Sequence, residues 1–183
     1  MLLVLSGPSG VGKGTVSKAL RSQTPDLWFS VSWTTRARRP DEVDGVDYVF
    51  VTHEQFEAEI ATDGFFEWFE VFGDLKGTPR RPVEEHLAAG EDVLLEIDVQ
   101  GALKVKRLVP SAVLIFLMPP SLADLRDRLQ ARGTETETEV ARRLSEADRE
   151  MAQASEFDHV VVNDDLERVV AQVAGILAGS PPP

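Results

Sequence analysis

The sequence predicts an α/β protein, a parallel sheet with helices on both faces, and three observations carry that reading. Leu2-Leu3-Val4-Leu5 is a short unbroken apolar run that leads straight into a glycine-rich turn ending in a lysine, Gly7-Pro8-Ser9-Gly10-Val11-Gly12-Lys13. From about Val93 onward, further short apolar runs alternate with helical patterns. Strands buried on both faces read as continuous apolar runs, and helices between them cover those faces. The stretch from about Ser32 to Arg81 breaks the alternation with strands of mixed polarity, which suggests a small lobe inserted after the first helix.

Each element has its own signal. The glycines after the first strand let the backbone curl so that successive N–H groups converge on phosphate oxygens, while Lys13 reaches the terminal phosphates as a point charge. Val16 to Leu20 continues as a helix whose positive end faces the same anion. Gly7 to Thr15 therefore reads as a nucleotide-phosphate cradle. Gly14 stands where the usual pattern places Ser or Thr to put a hydroxyl on Mg²⁺. That leaves either Thr15, one position on, or water, phosphates and carboxylates elsewhere to complete the metal's shell. In the inserted lobe, Asp44-Gly45 and Phe72-Gly73-Asp74 mark turns of an antiparallel-rich sheet.

Val93 to Ile97 reads as a buried strand, Gly101 to Leu108 as a helix and Ala112 to Leu117 as a second buried strand. After Pro119-Pro120, Ser121 caps a helix running to about Arg132, with Asp124 completing a capping-box-like start. The acidic, hydroxyl-rich Thr134 to Glu139 reads as a mobile surface loop, Val140 to Ala154 as a helix, His159 to Val162 as a strand and Asp165 to Leu177 as a closing amphipathic helix. Residues 179–183 read as a frayed tail.

Composition narrows the function. A chain of 183 residues suits one domain with a substantial core. With 31 acidic against 19 basic residues, the net charge of −12 argues against nucleic acid or an anionic membrane as the main partner. A small anionic substrate requires the few cations to cluster, and Arg36, Arg38, Arg39, Arg80 and Arg81 form one such group. The absence of cysteine excludes thiol chemistry and fits a reducing compartment. No apolar run is long enough to span a membrane, and the first strand begins at residue 2, so a cytoplasmic location is expected.

Several ordered motifs resemble guanylate kinase. They are Ser32-x-Thr34-Thr35-Arg36, Arg39-x-x-Glu42-x-x-Gly45-x-Asp47-Tyr48, Phe66-Glu67-Trp68, Gly77-Thr78, Glu96-Ile97-Asp98-Val99-Gln100-Gly101, Arg132-Gly133-Thr134-Glu135 and Val162-Asn163-Asp164-Asp165-Leu166. The resemblance implies phosphoryl transfer from ATP to GMP with Mg²⁺, and no nucleic-acid or membrane partner, in a monomer or small homo-oligomer. It also implies a P-loop core over 1–31 and 82–178, a GMP-binding lobe over 32–81 and a short lid at about 127–150. The weighed alternatives are a non-catalytic guanylate-kinase-like peptide-binding module, for which a triphosphate cradle is superfluous, and a related kinase acting on another monophosphate.

Site roles follow from the resemblance position by position. Gly7, Pro8, Ser9, Gly10, Val11, Gly12, Lys13, Gly14 and Thr15, with Arg128 and Asn163, are the implied ATP contacts. Glu67 is the implied reader of guanine, because a carboxylate accepts both guanine donors at once whereas adenine presents an acceptor at the same place. Ser32 and Thr78 add base contacts, and Arg36, Arg39 and Tyr48 hold the GMP phosphate. Glu96 and Asp98 complete the GMP site, Asp98 also lying beside the metal through water. Lys13, Arg39, Arg132 and Arg143 are the implied catalytic cations. One departure stands out: where the family commonly places two tyrosines before Gly77-Thr78, this chain has Leu75-Lys76. Lys76 is then either a solvated charge or a cation in place of a neutral phosphate donor.

Overall fold

The computed structural model describes residues 1–40, 42–71, 73–131 and 136–179. Strand β1 (Leu2–Ser6) is buried at all five positions. It lies at the centre of a sheet with β2 (Leu27–Phe29), β7 (Asp92–Glu96), β8 (Val113–Met118) and β9 (His159–Val162), in the order β2-β7-β1-β8-β9. Every neighbouring pair in this sheet is parallel, with Leu3 opposite Leu94 on one side and Val113 on the other. Strand alternation splits the apolar residues between two cores. Leu2, Val4, Leu95 and Phe116 face one side with α3 (Arg80–Ala88) and α4 (Val99–Leu108). Leu3, Leu5, Leu94 and Ile115 face the other with α1 (Lys13–Gln23) and α7 (Leu166–Leu177).

A second, four-stranded sheet has the order β4-β3-β6-β5, built from β3 (Trp33–Thr34), β4 (Val49–Phe50), β5 (Phe65–Val71) and β6 (Asp74–Pro79). Its β5-β6 and β3-β6 pairs are antiparallel and its β3-β4 pair is parallel. A small core of Phe56, Phe65 and Leu75 packs it under α2 (His53–Ala61), with Phe56 and Phe65 stacked at 4.3 Å. Helices α5 (Leu122–Ala131) and α6 (Glu137–Met151) pack on each other through Leu125, Leu129, Val140 and Ala147.

Two of the expected helices change at their ends. The helix expected from Gly101 begins at Val99, because the Asp98 carboxylate accepts the Gly101 N–H at 2.7 Å and caps it. The helix expected over Val140 to Ala154 ends at Met151, and a 3₁₀ turn covers Ala154–Glu156. It also starts earlier, so the last residues of the expected Thr/Glu loop are helical. Thr136 caps it: its hydroxyl accepts the Glu139 N–H at 3.3 Å while the Glu139 carboxylate accepts the Thr136 N–H at 2.7 Å. That capping box is written in Thr136-x-x-Glu139 and outweighs the polar composition of the stretch. Arg132 to Glu135, Phe72 of the expected lobe turn and residues 180–183 of the expected tail lie outside the described residues.

Thr136→Ala removes this cap and should cost about 1 kcal/mol of stability. Thr138→Ala, inside the first turn, should cost far less. Thermal or urea unfolding of the two variants checks the difference.

Candidate active site

The cleft opens where adjacent strands β1 and β7 send their helices to opposite faces of the sheet, α1 into one core and α4 into the other. Ligand crevices in parallel sheets form at the carboxyl ends of such strands. After Ser6 the chain turns through Gly7 to Gly12, and Gly12, at φ 103°, stands before the first turn of α1. Only glycine fits there: a Cβ would lie 2.7 Å from the Asn163 amide nitrogen.

That amide fixes the loop from outside. Asn163 Nδ2 donates to the Val11 carbonyl at 2.7 Å, and Arg128 donates to the same carbonyl and to Asn163 O, each at 2.9 Å. Arg128 and Asn163 thus spend these donors on backbone carbonyls behind the cradle. The Lys13 ammonium donates to Gly7 O at 2.5 Å and Pro8 O at 3.2 Å. Burial pulls its pKa below the ordinary lysine value, an effect opposed by Glu96, Glu150 and Asp98. Arg143, on α6, donates to the Ser9 hydroxyl at 2.9 Å and so brings that helix to the loop.

The small sheet also carries a buried carboxylate. Glu67 on β5 lies opposite Thr78 on β6, is 2% exposed, and accepts the Thr78 hydroxyl on Oε1 at 2.5 Å. Its Oε2 has no hydrogen-bond partner among the described residues. Burial raises its pKa to about 7; Thr78 pulls the other way, and the nearby Asp98 charge adds to the rise. Gly101 permits this packing, since a Cβ there would stand 3.3 Å from the Glu67 carboxyl carbon and from Asp98 Oδ1.

Arg36, Arg39 and Tyr48 gather around Glu42. The Glu42 carboxylate accepts Arg36 Nη2 at 2.7 Å and the Arg39 backbone N–H at 2.8 Å. The Arg36 guanidinium lies 5.5 Å from the centre of the Tyr48 ring, while the Arg39 side chain is 69% exposed, its guanidinium 4.0 Å from Glu42. Two adjoining cavities of about 590 and 410 Å³ occupy the cleft. The larger reaches from α1 to Ser32, and the smaller holds Lys13, Arg36, Arg39, Asp98 and Arg143. Tyr48, Lys76 and Glu96 line both and form the boundary between them.

The fold therefore brings Lys13, Ser9, Arg143, Glu96 and Asp98 together with Arg36, Arg39 and Tyr48. Glu67 and Thr78 are buried, Glu67 against Gly101 of α4, and neither is among the residues that line the two cavities; Thr15 is exposed on α1, and Arg132 is outside the described residues. Sequence reasoning left two residues without a role. Glu42 could have been found from its spacing, three residues after Arg39 and six after Arg36. Glu150, at the end of α6, joins the lining beside Lys13 and carries a raised pKa from burial, with no local signal of either.

A family model described as guanylate kinase matches residues 1–179 of the chain. The guanylate kinase of Corynebacterium jeikeium is 54% identical over 178 residues, covering 96% of this chain and 95% of the relative. That of a Thermus thermophilus strain is 56% identical over 176 residues, covering 96% of this chain and 80% of its own. Among solved structures, guanylate kinase from Anaplasma phagocytophilum superposes with a TM-score of 0.80 at 36% identity, covering 98% of this chain and 85% of that one. Shikimate kinase from Bacteroides thetaiotaomicron, at 16% identity and a TM-score of 0.55 over 97% of this chain and 98% of its own, shares the fold.

The raised pKa of Glu67 links stability to pH. Its folded value of about 7 exceeds the ordinary 4.5. The group's contribution is full below the ordinary value and is lost as pH rises through about 7. Stability should therefore fall between these limits by an amount on the order of 3 kcal/mol. Glu67→Gln should flatten that segment of the curve, as measured by urea unfolding at a series of pH values.

Proposed function

This chain belongs to the guanylate kinase family, and from that premise we propose the part that each side chain of the cleft takes. It is an ATP-dependent nucleoside monophosphate kinase that moves the γ-phosphoryl group of ATP to GMP, giving ADP and GDP. The observation that carries our reading of the site is Glu67, a buried carboxylate with one oxygen held by Thr78 and the other unpartnered among the described residues. Ionised, it can accept guanine N1–H and the exocyclic amine together, whereas adenine would leave it facing an unpaired acceptor. Ser32 and Thr78 add hydroxyls at the base, with Glu96 and Asp98 alongside.

The phosphate ends meet at the cradle. The loop N–H groups and Lys13 hold the donor phosphates, with phosphate oxygens replacing the Gly7 and Pro8 carbonyls at the ammonium. Arg128 and Asn163 support ATP by holding the loop's shape through Val11 O. Arg36, Arg39 and Tyr48 take the acceptor phosphate, and Glu42 orients the arginines. In the transfer, the bond from the γ-phosphorus to the bridging oxygen breaks, its electrons stay on ADP, and a GMP phosphate oxygen forms the new bond. Such a step rests on alignment and charge neutralisation, which Lys13, Arg39, Arg143 and, by its place in the sequence, Arg132 provide.

The residues present suit Mg²⁺. A Cβ at Gly14 would stand 3.7 Å from Glu96 Oε1, so a carboxylate lies where the usual hydroxyl residue would project, and Asp98 lines the same cavity as Lys13. Glu96 and Asp98, in part through water, would hold a cation that arrives on the triphosphate and neutralises phosphate charge. The unit from 32 to 81 serves the acceptor, while the segment from about 127 to 150 serves as the lid over the donor. Among the described residues no helix is long and apolar enough to cross a membrane. We place the reaction in the cytoplasm, where ATP and GMP are at hand.

Lys13→Ala should lower phosphotransfer by about a thousandfold or more while the melting temperature holds, because the lysine acts on phosphate charge. Glu67→Gln should raise the KM for GMP by about a hundredfold and leave that for ATP in place, since an amide offers one acceptor and adds a clashing donor. In the parent, acceptor capture should weaken as pH falls through about 7, where Glu67 gains a proton, and Glu67→Gln should lose that inflection. Steady-state kinetics with ATP and each nucleoside monophosphate, across pH, check all three.

A further inference from the structure

We infer that Lys76 binds the acceptor's phosphate directly, as the cation that supplies its long-range attraction; this deepens the reading of GMP as acceptor and rests on it. Lys76 lies on β6 two residues before Thr78, so both side chains share one face of the small sheet. Its cross-strand partner on β5 is Phe69, one alternation from Glu67. The residue is thus one strand step, about 7 Å, from the base reader, on the wall that the acceptor must lie against.

The surroundings set its charge apart from the other cations there. Its ammonium stands 5.0 Å from the centre of the Tyr48 ring, and the Arg36 guanidinium stands 5.5 Å from the same centre. Two like charges gather at one ring, and an anion bound there would relieve their repulsion. Glu42 already neutralises Arg36 at 2.7 Å, whereas Lys76 forms no ion pair with a carboxylate among the described residues. Lys76 is half-buried and lines both cavities, at the boundary where the acceptor passes from one to the other. A solvated surface lysine would do neither. Although burial pulls its pKa down, Tyr48, Glu96 and Glu67 outweigh that and hold it above the ordinary lysine value, so the charge persists at neutral pH.

The chemistry matches a dianionic phosphate. An ammonium is a compact charge with three donors, and it acts over a distance that a neutral phenol at this place would not. A partly exposed charge is screened as salt rises. Acceptor capture then carries a salt dependence that the nucleoside lacking the phosphate does not share.

The experiment compares the parent with Lys76→Met, Lys76→Gln and Lys76→Arg. The readouts are the KM for GMP and for ATP from about 20 to about 500 mM salt, and the inhibition constant of guanosine as a competitor of GMP. The two neutral variants should raise the GMP KM about tenfold at low salt, flatten its salt dependence, and leave the ATP KM and the guanosine constant unchanged. Lys76→Arg should stay within about threefold of the parent. Should one neutral variant fail to fold, the other carries the comparison. An unchanged GMP KM across the salt series overturns the inference. So does an equal loss for guanosine, or a loss that vanishes at a pH where Glu67 is ionised in every variant, because either puts the lysine's effect at the base end. Failure of the guanylate kinase reading looks different: the parent itself would not phosphorylate GMP.

Discussion

The opposite departures of α1 and α4 from neighbouring strands are the constraint on which the rest of the cleft depends. β1 and β7 lie side by side with continuous apolar registers, so neither strand can shift without moving buried leucines on both faces. Their following helices go to different cores, and the chain must open a gap between them at the carboxyl ends of the strands. Lys13 enters that gap from one side and Asp98 from the other. Asp98 caps α4 with one oxygen, so the helix that bounds the gap is fixed by a residue that also lines it. Position and chemistry are set by the same hydrogen bond.

The cleft concentrates opposite charges. A protein of net charge −12 must attract anions, and it does so by placing Lys13, Arg36, Arg39, Lys76 and Arg143 around one cavity. Lys13 is held by backbone carbonyls, which fix its place without neutralising it. Glu42 pairs with Arg36, and its two bonds orient Arg36 and the Arg39 backbone while leaving the Arg39 guanidinium largely in solvent. The carboxylates that remain, Glu96, Asp98 and Glu150, sustain the lysine's charge against burial and give a hard cation oxygens to lean on.

Much of this was legible in the sequence wherever the signal is local. The apolar run before the glycine turn, the lysine that ends it and the apolar strands after Val93 each state their own structure, because burial on both faces and positive φ restrict the residue types that fit. Helix starts were less legible. Asp98 and Thr136 cap helices ahead of the expected starts, and the periodicity of apolar side chains gives no weight to a polar first turn. Least legible were properties made by distant segments meeting. Nothing near Glu67 in the chain foretells a pKa of about 7, which arises because the carboxyl is buried between β6, where Thr78 lies opposite, and α4, where Gly101 presses on it. Glu150 lies 137 positions beyond Lys13, and only the return of α6 to the loop brings them into one lining.

The two sides of the cleft are built to opposite physical specifications, and that division explains where their polar groups are satisfied. On the proposed assignment, the donor side is held by the chain's own bonds: Val11 O is secured by both Asn163 and Arg128, so the curl of the loop is fixed by the core. The side proposed for the acceptor withholds satisfaction, leaving Oε2 of Glu67, a residue only 2% exposed, unpartnered among the described residues. An unpartnered buried acceptor costs stability, and only a molecule offering a donor at that point recovers the cost. In that proposal, rigidity serves the substrate recognised by its phosphates, where charge attracts and shape aligns. Unsatisfied polarity serves the substrate that must be told from a near-identical base, because discrimination grows with the penalty for the wrong hydrogen-bond pattern. By the same proposal, a fully satisfied Glu67 would give a more stable protein and a poorer reader of guanine.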